Sequence, residues 1–377
     1  MMQTAIDFLY LNEEDMIKAG VMDMNGCIET MEDMLKTMIV GDYVMGGANH
    51  NSHGVMISFP DESPFPNMPL NGPDRRFMAM PAYLGGKFDM AGVKWYGSNV
   101  ANRAKGLPRS ILTLMLNDKD TGAPVALMSA NILSAYRTGA IPGVGIKYLA
   151  KQDSKVVAID GPGIMNRTLL KACMCVRPQV DTLKIHGRGQ ASINKFIAFV
   201  KDNFPQIKTI EICDTLEAAV KDADIISTAT SGTVGSQSYP YFKEEWIKPG
   251  ALVCLPANGR FDDEFVLNRA KNVVDNIELY KAWDEEIPYP AYETIGILGV
   301  RYMDMIHEGK MTVEQIDDLG DILLGKKPGR KDDKEIILYS VGGMPTEDVA
   351  WGTIIYRNAL EKGIGIKLNL WDKPAMA

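Results

Sequence analysis

The spacing of apolar residues changes character near residue 150. In residues 12–40, Met and Ile recur at helical spacing after a start marked by Asn12, which can cap a helix, and by Glu13, Glu14 and Asp15, which suit its positive end. This predicts one helix, whose stripe Met31, Met34, Leu35 and Met38 reads as core or as a contact between subunits. From Asn49 to Pro73, Gly, Pro, Ser and Asn are dense and predict an irregular loop. Short strand-like runs follow, "RRFMAMPAYL", "DMAGVKWYG" and "SILTLMLND", the last closed by the turn "NDKDTG". Residues 131–150 read as a helical connector that Pro142 should kink or split.

After residue 150 apolar β-branched runs alternate with helical stretches, which predicts an α/β domain with a parallel sheet. Strands are expected at 155–160, 182–186, 209–213, 224–230 and 251–255, with helices such as Ser192–Asn203 and Thr215–Asp222 between them. Residues 271–280 read as one more strand, and the charged segment "LLGKKPGRKDDKEIILYS" as an exposed excursion that ends in another. The last helix is well marked, with Thr346 as its expected cap, Glu347 and Asp348 in its first turn and Gly363 after its end.

With 377 residues and 46% hydrophobic content, the chain can bury a large core and is expected to form two domains. Its 40 Lys and Arg are outnumbered by 48 Asp and Glu, for a net charge of −8, which argues against a broad nucleic-acid surface and toward a small-molecule partner. Five scattered cysteines suit a reducing compartment, and "MMQTAIDFLYLNEED" has neither a basic leader segment nor a cleavage site, so a cytoplasmic location is expected. No apolar run is long enough to suggest a membrane span.

Two features carry chemistry. The first is "KVVAIDGPG", a strand that ends in a G-x-G turn and leads into helical spacing, the context of a dinucleotide-binding loop. Gly161 would allow the tight turn, Gly163 would let the backbone approach a pyrophosphate, and Ile164 would open the helix whose N-terminus receives it; Asn166 stands where the third glycine is usual. The second is a set of cations in apolar or small-residue surroundings: Arg76 in "RRFMAMP", Lys94 in "GVKWYG" and Arg137 in "AYRTGA". A charge in such a setting needs a partner, either a structural counterion or a substrate carboxylate, for which arginine offers a planar fork.

The segments "MPAYLGG", "GVKWYGSN", "LMSANILSAYRTGA", "VVAIDGPG", "EWIKPGALV" and "GGMPTEDVAWGTIIY" together resemble the ornithine cyclodeaminase and mu-crystallin family along nearly the whole chain. "GVKWYGSN", "PGRKDDKEIIL" and "IGIKLNL" are most similar to its branch of N-(2-amino-2-carboxyethyl)-L-glutamate dehydrogenases. The resemblance implies a homodimer. It implies a Rossmann-type parallel-sheet domain at 139–335, and an α+β substrate-binding and dimerisation domain at 1–138 and 336–377, completed by the C-terminal helix. Arg76 and Arg137 would hold the substrate's α-carboxylate and Lys94 would assist proton transfer beside the reacting carbon and nitrogen. Where the cyclodeaminases carry an aspartate that assists the substrate amine, this chain has Asn258 or Gly259 within "LPANGRFDDEF", neither of which can act as a base. Arg109 replaces a small hydroxyl residue and either grips a second carboxylate or points outward.

These features imply an NAD(P)-dependent oxidoreductase acting on a C–N bond of an amino acid, an imino acid or an opine-like N-carboxyalkyl amino acid. The alternatives are a cyclodeaminase using NAD catalytically and a non-enzymatic ligand-binding protein. In "LKIHGRGQ", Gly187 occupies the place where NAD-preferring enzymes put an acid, and Arg188 follows it, which favours NADP(H) over NAD(H). Thr228, Thr230 and Ser231 in "STATSG" are expected at the cofactor. His50 and His53 have no companions at metal-ligand spacing, so no metal site is expected.

Overall fold

The structure, a computed structural model, describes residues 4–230 and 234–376. Strand β1 (Ile6–Leu11) leads through helices α1 (Glu13–Ala19) and α2 (Met24–Ile39) to strands β2 (Tyr43–Met45), β3 (Val55–Ser58), β4 (Arg76–Leu84), β5 (Met90–Ser98), β6 (Ser110–Asn117) and β7 (Pro124–Ser129). Helix α3 (Asn131–Leu149) precedes β8 (Val156–Asp160), α4 (Ile164–Val176), β9 (Thr182–His186), α5 (Gln190–Asn203), β10 (Thr209–Ile212), α6 (Leu216–Val220), β11 (Ile225–Thr228) and β12 (Leu252–Leu255). Then come α7 (Asp263–Asn268), β13 (Ala270–Val274), α8 (Ile277–Glu286), α9 (Leu298–His307), β14 (Ile316–Asp318), α10 (Leu319–Leu323), β15 (Ile336–Ser340), α11 (Pro345–Lys362) and β16 (Ile366–Trp371).

The chain divides into two compact units, one of residues 1–23, 40–137 and 344–377, the other of residues 24–39 and 138–343. In the first, a mixed sheet runs β16-β1-β7-β6-β5-β4-β2, with β3 also paired to β4. Its strands β4, β5 and β6 bury every second residue: Met78, Met80, Lys94, Leu114 and Leu116 are buried, whereas Phe77, Trp95, Ile111 and Met115 are exposed. This period of two is the signature of a sheet covered on one face. Helix α11 is the cover, packed on β4, β5 and β6 and anchored by the Trp351 indole, which donates to the carbonyl of Val21 at 3.3 Å.

The second unit holds an eight-stranded sheet in the order β10-β9-β8-β11-β12-β15-β13-β14, parallel throughout. Its central strands β8, β11, β12 and β15 are buried along nearly their whole length, as in a parallel sheet covered on both faces, whereas the edge strands β10 and β14 carry exposed or charged residues. Between β8 and β11 the strand order reverses, and the carboxyl ends of strands at such a point frame a ligand crevice.

Several expectations need correction. Residues 12–40 are two helices, because Gly20 adopts a left-handed conformation (φ 102°) that ends α1; α2 belongs to the parallel-sheet unit, where its Glu32 pairs with Lys147 at 2.5 Å and accepts from Tyr148 at 3.1 Å. Strand β15, assigned with the C-terminal helix from residue 336, sits inside the parallel sheet between β12 and β13. The loop from 49 to 73 contains β3, and residues 271–280 split into the end of β13 and the start of α8. Pro142 does not split α3, which continues through it. That helix is held by close approach, since a Cβ at Gly139 or Gly143 would come within about 2.6 Å of Thr168 or Ala172 on α4. At α11 the cap position is Met344, and Thr346 lies inside the helix, fully buried.

Candidate active site

The first unit gathers its cations on the buried face of the sheet. Register pairs Arg76 with Ser98 and Met80 with Lys94, so Arg76, Lys94, Tyr96 and Ser98 share one face. The Lys94 ammonium and the Arg76 guanidinium lie 5.7 and 6.0 Å from the centre of the Tyr96 ring. Lys94 is 2% exposed and donates to Asp348 at 2.7 Å. Burial, reinforced by the nearby Arg137 charge and opposed by Asp348, lowers its pKa from 10.5 to about 8.

Arg137 is committed to the same acids. It donates through Nε to Asp348 at 3.2 Å, through Nη1 to Glu347 at 2.5 Å and through Nη2 to Ser134 at 3.3 Å, with Asp348 also 3.2 Å from Nη2. Each of its three nitrogens therefore donates to a partner inside the protein. Glu347 and Asp348 are fully buried. Acids in the first turn of a helix suit its dipole, but here they serve as counterions of residues more than 200 positions away. One signal in the sequence could have exposed them: they are the only charges in residues 341–356, a desolvated setting of the kind that marked the cations.

Arg76 and Arg109 converge elsewhere, on Asp74. Arg76 bonds one oxygen of its carboxylate, and Arg109, half exposed, approaches the other at 3.0 Å. Arg109 is thus neither free nor beside Lys94 and Arg137.

In the second unit the G-x-G turn has the form a pyrophosphate needs. Gly161 has φ 82°, and a Cβ there would meet the carbonyl oxygen of Ala229 at 2.6 Å and the Thr230 nitrogen at 3.0 Å. Gly163 caps α4 with no side chain on its N–H groups, and the space beside it is open; Ile164, exposed, begins the helix. Such a helix end is a ready anion seat. Asn166, in place of the third glycine, is fully buried and donates to the carbonyls of Asp160 and Gly161 at 2.9 and 2.8 Å while accepting from Ser227 at 2.6 Å. It ties the turn to β11.

Asp160 was also missed. Its carboxylate, 4% exposed, accepts from Thr228 at 2.9 Å and lies 2.7 Å from Nδ1 of His186, joining the carboxyl ends of β8, β9 and β11. Thr228 therefore spends its hydroxyl inward. Arg188 is exposed past the end of β9, and Ser231 lies outside the described residues. In "LPANGRFDDEF", Gly259 accepts from Tyr292 at 2.5 Å, Asp262 accepts from Tyr241 at 2.8 Å, and Asp263 pairs with Arg301 at 2.8 Å. Among the described residues no three His, Cys, Asp or Glu side chains gather as metal ligands, and no helix is long and apolar enough to cross a membrane.

The sequence profile of the ornithine cyclodeaminase/mu-crystallin family matches residues 21–363. The chain belongs to this family. Among relatives in the ornithine cyclodeaminase/mu-crystallin family, N-((2S)-2-amino-2-carboxyethyl)-L-glutamate dehydrogenase of Staphylococcus aureus is 27% identical over 368 residues, covering 97% of this chain and 99% of that protein. The archaeal alanine dehydrogenase dimer with bound NAD superposes with a TM-score of 0.75 at 26% identity, covering 97% of this chain and all of that one. Thermococcus litoralis Δ1-pyrroline-2-carboxylate reductase, in complex with NADH and L-proline, also gives a TM-score of 0.75 at 26% identity, covering 96% of this chain and all of that one.

Proposed function

We propose that this chain is a nicotinamide-dependent oxidoreductase of the C–N bond in an amino acid, an imino acid or an N-carboxyalkyl amino acid. The observation that carries the reading is Lys94, a buried lysine poised near neutral pH and set by Asp348 on the same sheet face as Arg76. An ammonium with a pKa of about 8 can give a proton to a forming amine and, once neutral, take one from an amine being oxidised. Arg76 grips the substrate carboxylate; its Nε is buried without a hydrogen-bond partner among the described residues. Arg137, whose Nη groups carry N–H bonds beyond those given to Glu347 and Ser134, would be a second contact. Asp348 bonds both cations and Glu347 bonds Arg137, so the two acids offset the repulsion between the cations and fix their positions.

The Gly161–Gly163 turn, the start of α4 at Ile164 and the backbone at Thr230 would hold the dinucleotide, which when bound supplies or accepts hydride. We assign Arg188 to a 2′-phosphate, hence NADP(H), because no acid stands at Gly187 to accept from a ribose hydroxyl. Arg188→Ala is expected to weaken NADPH far more than NADH, by about the 1.5–3 kcal/mol of a charge-assisted contact. Equal losses measured by fluorescence titration of both cofactors would refute the assignment. The exposed apolar face of Phe77, Trp95, Ile111 and Met115, with Phe77 stacked on Trp95 at 5.7 Å, suits a homodimer contact, and five cysteines without a disulfide suit the cytoplasm.

The function is tested by supplying amino acids, cyclic imino acids and pairs of an oxo acid with an amine, with NADH and NADPH, and following nicotinamide absorbance in both directions. Net oxidation or reduction is expected. Ornithine with NAD is expected to yield little proline. Its side-chain ammonium has a pKa of about 10, and the loop at Asn258 offers no base while Asp262 and Asp263 are bonded elsewhere. Efficient proline release without net change in nicotinamide would establish a cyclodeaminase instead.

A further inference from the structure

We infer that Asp74 is a positioning residue that holds Arg76 and Arg109 side by side, one for the carboxylate next to the reacting carbon and the other for a second carboxylate, so that the substrate is a diacid. This rests on the function proposed above and names its substrate class more narrowly.

Two guanidinium groups repel at close range unless a negative charge lies between them. Here each carboxylate oxygen of Asp74 faces one of them, Oδ1 toward Arg76 and Oδ2 toward Arg109 at 3.0 Å. Asp74 is itself fixed to the sheet. Its Oδ2 accepts from the buried Ser98 hydroxyl at 2.6 Å, and Ser98 is in turn 2.9 Å from the Ser110 hydroxyl across the β5–β6 pair. The backbone at Asp74 is left-handed, with φ 51°, a conformation that costs a residue with a Cβ and persists where surrounding bonds enforce it.

This support separates two roles. A carboxylate that merely filled the substrate's place would be loosely held and displaced on binding, whereas Asp74 is anchored by a hydroxyl that does not belong to the arginines. It also leaves donors over: Arg76 keeps an Nε without a partner among the described residues, and Arg109 is half exposed. The sheet that presents Arg76 also presents Lys94, and Tyr96 lies within 6.0 Å of both cations. A molecule bound at Arg76 therefore lies on the sheet face that carries the proton-transfer group, with Tyr96 between the two cations.

The probe is iminodiacetate, the simplest N-carboxyalkyl amino acid, compared with N-methylglycine, which keeps the secondary amine but lacks one carboxylate. Binding is measured by calorimetry on the full chain with NADPH present. The wild type is expected to prefer iminodiacetate by roughly tenfold or more, the worth of one charge-assisted contact. Asp74→Ala is expected to reduce this preference to less than about threefold, and Asp74→Asn, which can still accept from one arginine, to an intermediate value. A role confined to folding would weaken both probes together and leave the ratio unmoved. An unchanged ratio in both variants, tighter iminodiacetate binding by Asp74→Ala, or no preference in the wild type would each overturn the inference. If the wild type prefers the diacid yet turns over no amino or imino acid, the proposed function fails and the assignment of Asp74 stands. If turnover occurs and the ratio ignores Asp74, the reverse holds.

Discussion

Lys94→Met is expected to lower turnover by about 10²- to 10⁴-fold, the usual worth of a positioned proton-transfer group, while leaving dinucleotide affinity within a few-fold of the wild type. The lysine sits on the sheet of the first unit and the proposed nucleotide cradle belongs to the second, so the variant separates chemistry from cofactor binding. The wild-type pH profile should carry the same group. Burial, seconded by Arg137, lowers the Lys94 pKa to about 8, so oxidation, which needs the neutral amine, should rise as pH passes through about 8. Reduction, which needs the ammonium as acid, should fall over the same range. A Lys94→Met enzyme with unaltered turnover, or wild-type profiles flat between pH 7 and pH 9 (about one unit either side of that pKa), would remove Lys94 from the mechanism.

The largest effect on stability is expected from Asp348→Ala. Asp348 is fully buried and accepts from both Lys94 and Arg137, so its removal leaves two buried cations short of a counterion. Breaking a buried pair in this way costs roughly 3–5 kcal/mol, to be read as a fall in denaturation midpoint. The pH dependence of the loss identifies its cause. Lys94 has a folded pKa below its ordinary 10.5, so the unfolded chain binds more protons between those values and stability rises with pH across that window. Without Asp348, which raises the Lys94 pKa in the wild type, the window opens at lower pH. The deficit of the variant should therefore shrink as pH rises toward 8. Asp348→Asn keeps the shape and one acceptor, and should lose less. A deficit independent of pH would mean that packing of α11, rather than charge, accounts for the loss.

The pattern of side chains was sufficient wherever the relevant interaction is local. Five strands of the parallel series lie within a residue or two of their expected bounds, because a β-branched apolar run between helical stretches has few other solutions. Gly161 and Gly163 were legible for the same reason: the turn needs a left-handed residue and a bare approach to the helix start, both properties of a few consecutive positions. Arg76, Lys94 and Arg137 stand out as charges among apolar neighbours, and the resemblance to the family implies the roles proposed for them.

Tertiary structure decided what those charges meet. Lys94 finds Asp348 across 254 positions, and Arg137 finds Glu347 across 210; at close range in sequence these two acids are ordinary first-turn residues of a helix. Asp74 becomes the common partner of Arg76 and Arg109 only once β4 and β5 are paired and Ser98 is brought up to it. Likewise α2 and β15 join the parallel-sheet unit through contacts with α10 and with β12 and β13, none of which their own residues announce. The common reason is that a local pattern records how a segment shields its backbone and which face it must bury. The choice of counterion or neighbouring strand is made by whichever distant segment fits that face when the sheet closes.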